Sequence, residues 1–131
     1  MTTNENKMAL HRLMLEAGET GLSLNDIEPV GTRLGIDSRH LVNELALAVA
    51  NGFDAMTLDF DFCNQVMNGV EGVVAQLAIE DETPEPALSI YLAFDAGEFK
   101  RSGDAIDVCP AEKYTRPMIE RILLEPPDNR S

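Results

Sequence analysis

Few side chains in this chain could do chemistry apart from its carboxylates. There are two histidines, His11 and His40, and two cysteines, Cys63 and Cys109. No HxxxH, HExxH or CxxC spacing is present, so no metal site is expected from local sequence. Cys63 falls on an apolar stripe, where a thiol packs as a small hydrophobe and not as a reactive thiolate. Asp59 and Asp61, with Asp54 nearby, lack the glycine and the closing glutamate of a calcium loop. They are expected at a helix start, where the helix dipole favours negative charge. Asp95, Glu98, Asp104 and Asp107 are the candidates for a hydrolytic carboxylate pair, a small-enzyme alternative centred on residues 95–107. Such chemistry needs two carboxyls at a fixed separation, one of them with a raised pKa. In a chain this acidic, chance pairs are frequent. The GVEG run from Gly69 to Gly72 lies inside a helical pattern and does not follow a strand, so it is not a nucleotide loop. No catalytic residue and no cofactor is expected.

The distribution of charge says more than any single residue. The chain carries 23 acidic and 10 basic side chains, a formal net charge of −13. Between His40 and Phe99 there is no Lys or Arg, yet there are eleven carboxylates, from Glu44 to Glu98. A surface built from that segment repels phosphate backbones and anionic lipids and attracts cations. The expected partner is therefore a basic protein, with neither nucleic acid nor membrane. The expected contact residues are Asp59, Asp61, Asp95, Glu98 and Asp104, with Phe99 and Tyr114 as aromatic anchors. Phe99 and Tyr114 belong to the stretch 94–117, which mixes aromatics with both signs of charge. An immunity protein, antitoxin or inhibitor would use such a face to occlude a basic target, which complementary charge steers to it. Two cysteines make no disulfide framework, and MTTNENK has no apolar core of a secretory signal. A reducing cytoplasm is the expected compartment.

These groups need elements to hold them. With 131 residues, 44% apolar content and no Trp, the chain suits one mainly α domain built on Leu, Val, Ile, Met and Ala. The stretch 58–79 sets Phe60, Cys63, Met67, Val70, Val74 and Leu77 at alternating steps of three and four, the spacing of a long central helix with one buried face. Gln65, Gly69, Gly72 and Gln76 form a small, polar stripe opposite. Gly69 and Gly72 are expected to admit a close backbone, with a bend or break near Gly69 as the alternative, and the whole stripe is the candidate contact of a homo-oligomer. Before this helix, the spacing predicts a helix from Asn4 to about Ala17 stopped by Gly18. A turn over 24–28 and a fresh start at Pro29 follow, and then a helix from about Arg39 to Asn51 stopped by Gly52. After it come an acidic, Pro-rich connection at 80–86 and a helix over about Pro86–Ala96. Next are a loop to Val108, one helical turn after Pro110, and a last helix opened by Thr115 and Pro117 and ended by Pro126 and Pro127. The last third also has room for a short strand pair, since Ile90, Leu92 and Phe94 alternate.

The stretch Gly21–Phe53, GLSLNDIEPVGTRLGIDSRHLVNELALAVANGF, resembles the front of a winged-helix DNA-binding domain. It has a Leu-Ser start, a short helix, a Leu-Gly-Ile turn and a second helix ending in Gly. The resemblance covers about a quarter of the chain and implies a transcription regulator that reads DNA with the second helix. The candidate reading face offers Arg39, His40, Asn43 and Glu44, and no basic wing follows, which departs from what base and phosphate recognition needs.

Overall fold

The computed structural model describes residues 3–80 and 82–125. The chain is mainly helical: α1 (Thr3–Thr20), α2 (Leu24–Leu34), α3 (Ser38–Asp54), α4 (Phe60–Glu80), α5 (Ala87–Ala96), a π-helical turn (Ala111–Thr115) and α6 (Arg116–Leu124). No strand occurs among the described residues, so the strand pair is not formed. Ile90 and Phe94 share the buried side of a helix, and Leu92 points outward. The proline stop at Pro126–Pro127, and Asp81 in the acidic connection, lie outside the described residues.

Two helices share the centre. α4 is the longest and packs on α1, α3 and α5, while α3 touches α1, α2, α4, α5 and α6. The expected stripe of α4 is its buried face: Cys63, Met67, Val70 and Val74 are buried, Phe60 and Leu77 half-buried, and buried Val66 and Val73 widen it, Val66 lying against Gly18 of α1. α3 buries Leu41, Val42, Leu45, Ala46, Val49, Ala50 and Phe53. Phe94 of α5 closes the core, edge-on to Phe53 with ring centroids 5.3 Å apart and tilted against Phe60 at 6.0 Å.

Several helix ends differ from the sequence expectation. α1 runs past Gly18 to Thr20 and stops at Gly21, whose φ of +81° is the left-handed conformation that ends helices. Gly18 instead lies against Val66 and Phe62 of α4. α2 is one helix, not two. The Asp26 carboxylate accepts hydrogen bonds from Ser23 N–H (2.9 Å) and Oγ (3.1 Å), which fixes its start. Pro29 sits exposed inside α2, where the carbonyl it leaves without a partner can meet water. α3 continues through Gly52 to Asp54. Gly52 is needed for space: a Cβ there would overlap Leu58, and its carbonyl accepts from Thr57 N (2.9 Å) and Leu58 N (3.1 Å) as the chain turns into α4.

The α2–α3 turn is tight. Gly35 ends α2 at φ +78°, Ile36 N–H donates to Gly31 O at 2.9 Å, and Asp37 Oδ1 caps α3 by accepting from His40 N–H at 2.7 Å. The two helices are thus joined by a short, hydrogen-bonded turn, and α3 is a core helix. Asn43, on the candidate reading face, accepts from Ala87 N–H at 3.1 Å and anchors the start of α5.

Candidate functional site

The carboxylates of the cation-free segment do not all face one way. Asp59 caps α4, accepting from Phe62 N–H at 2.8 Å. Glu85 caps α5, accepting from Ser89 N–H (3.1 Å) and Oγ (2.7 Å). Glu44 lies 3.9 Å from His40 on α3. Asp54 lies near Arg116, whose guanidinium stacks 4.3 Å from the Phe53 ring centroid. Asp59 and Glu85 are spent on capping, and Asp54 is partly compensated by Arg116.

Three others converge where α4 meets α5. Asp95, Glu71 and Glu98 lie close enough to Tyr91 to act on its hydroxyl. Burial first, and then these three carboxylates in that order, raise its pKa above the ordinary tyrosine value. Glu98 accepts a 2.8 Å hydrogen bond from Asn64 Nδ2, tying the end of α5 to α4. Asp61 is exposed one helical turn before Asn64, on the same side of α4. Phe99, directly after Glu98, is 76% exposed, and Leu92 on α5 is 47% exposed. None of the ion pairs among the described residues involves Asp61, Glu71, Asp95 or Glu98.

The next cations along the chain have partners in the segment after α5. Lys100 Nζ donates to the Ile106 carbonyl. Arg101 stacks 3.9 Å from the Tyr114 ring centroid. Asp104 anchors this loop: it accepts from Arg101 N–H at 2.8 Å, from Tyr114 OH at 2.5 Å and from Lys113 Nζ. The Lys113, Tyr114 and Arg101 hydrogen bonds hold its pKa well below the usual carboxylate range. The same contact with Asp104 raises the pKa of Lys113 and of Tyr114. A depressed pKa is the opposite of what a general acid requires.

The π turn sets up that anchor. Pro117 has no N–H and its ring crowds the carbonyl four residues earlier, which a widened turn relieves. Thr115, fully buried, donates from Oγ1 to Ala93 O at 2.7 Å and fastens the turn to α5. Gly97 lets the chain pass, since a Cβ there would strike Thr115 and Ala111.

Of the expected contact residues, Asp95 and Glu98 lie near Tyr91 together with Glu71, and Asp61 and Phe99 are exposed. Asp59, Asp104 and Tyr114 are consumed by capping and by the loop anchor. Sequence reasoning missed Asn64, Glu71 and Tyr91. Asp61, Asn64 and Glu71 do follow helical spacing, and Tyr91 and Asp95 are one turn apart, but only the meeting of α4 with α5 brings the two sets together.

The remaining candidates are placed as follows. Cys63 is buried with Sγ 3.8 Å from Val49 O, and burial, with Asp59 nearby, pushes its pKa up to about 12. His11 is exposed on α1. Among the described residues no group of three His, Cys, Asp or Glu is arranged to hold a metal, and no helix is long and apolar enough to cross a membrane. Lys7, Arg12 and Arg33 lie along α1 and α2, interleaved with Glu5, Glu16 and Asp26. In the small-residue stripe of α4, a Cβ on Gly69 would strike the Ala17 backbone, and Gly69 O accepts from Leu22 N–H at 2.8 Å. The close backbone at Gly69 is α1 of the same chain, while Gln65, Gly72 and Gln76 are exposed. Protein-family models, curated proteins and solved structures, compared with this chain, give no match.

Proposed function

We propose that this protein is a non-catalytic binding module that docks a basic protein on the α4–α5 face, in the manner of an immunity protein, antitoxin or inhibitor. The observation that carries this reading is the gathering of Glu71, Asp95 and Glu98 around Tyr91, with Lys100 and Arg101 engaged elsewhere. Carboxylates that lack a cation on their own chain are available to one on another. Phe99 and Leu92 give the contact an apolar part, without which a charged patch steers but holds weakly. In this mechanism the carboxylates take the place of the target's anionic substrate and the face covers its site.

A titration of the isotope-labelled protein with an arginine- and lysine-rich peptide at low ionic strength tests the reading. Amide shifts should concentrate at Asn64, Glu71, Tyr91, Asp95, Glu98 and Phe99, and should fade as salt is added. Shifts spread evenly over all acidic residues would defeat it.

The short turn joining α2 to α3 supports a second reading, a DNA-binding regulator. That reading requires a mobility shift of random duplex DNA at low salt. The buried α3 and the interleaved charges on α1 and α2 weigh against such a shift.

A further inference from the structure

We draw no further inference here: the strongest candidate, the open groove between α1 and α2 that Arg12 and Arg33 line from two helices, is also lined by Glu5, Glu16 and Asp26, so its charge selects no ligand, and nothing in the structure shows what covers it.

Discussion

At the scale of single residues, the same chemical type plays opposite parts according to what surrounds it. Cys63 and Cys109 are both free thiols, but Cys63 is buried with its pKa pushed up to about 12, and Cys109 is exposed. At pH 8 a thiol reagent should modify one cysteine of the native protein promptly and the second only after denaturation. Prompt labelling of both would mean that Cys63 is not in the core. Asp104 and Asp95 diverge in the same way: the first is enclosed by donors and the second faces solvent. Because the folded-state pKa of Asp104 is depressed, its contribution to stability is present above the unfolded carboxylate pKa, about 3.9. It is lost as pH falls through the folded value. Asp104→Asn should therefore melt below the wild type at neutral pH, and the gap should close as pH drops below about 4. A gap independent of pH would assign the loss to packing and not to the charge.

At the scale of elements, glycines separate space from propensity. Gly69 and Gly72 lie one turn apart on α4, and the sequence treats them alike. In the fold, α1 lies on Gly69, and Gly72 has nothing near it. Gly69→Ala should destabilise by about 1–3 kcal/mol or more, because backbone must move. Gly72→Ala should stabilise by about 0.5–1 kcal/mol through helix propensity alone. Chemical denaturation of both variants measures the pair, and effects of equal sign would refute the α1–α4 contact. The pair also shows what was legible beforehand. Periodicity revealed α4, its buried stripe and the need for a close backbone, because burial of one helix face leaves a local pattern. It could not tell which backbone came close, since that depends on the return of α1. The stops misplaced at Gly18 and Gly52 have the same origin: glycine marks either a helix end or a crowded contact, and only packing decides between them. Asp95 and Glu98 were legible as candidate contact residues because they are charged and near a loop. Glu71 and Tyr91 were not, because each looked like part of its own helix.

At the scale of the whole molecule, the charge asymmetry of the sequence survives folding in reduced form. Asp54, Asp59 and Glu85 are drawn into local structure, leaving a smaller face on α4 and α5. The exposed cations Lys7, Arg12 and Arg33 lie along α1 and α2.

The most direct measurement is capture from the source cell at low and at moderate salt, using three immobilised proteins. These are the wild type, a Glu71→Gln, Asp95→Asn, Glu98→Gln variant, and a control neutralised at Glu16 and Glu19. A basic protein should be retained by the wild type and by the control, more strongly at low salt, and lost from the triple variant. Retention by the triple variant equal to that of the wild type, or no retention by the wild type at low salt, would contradict it.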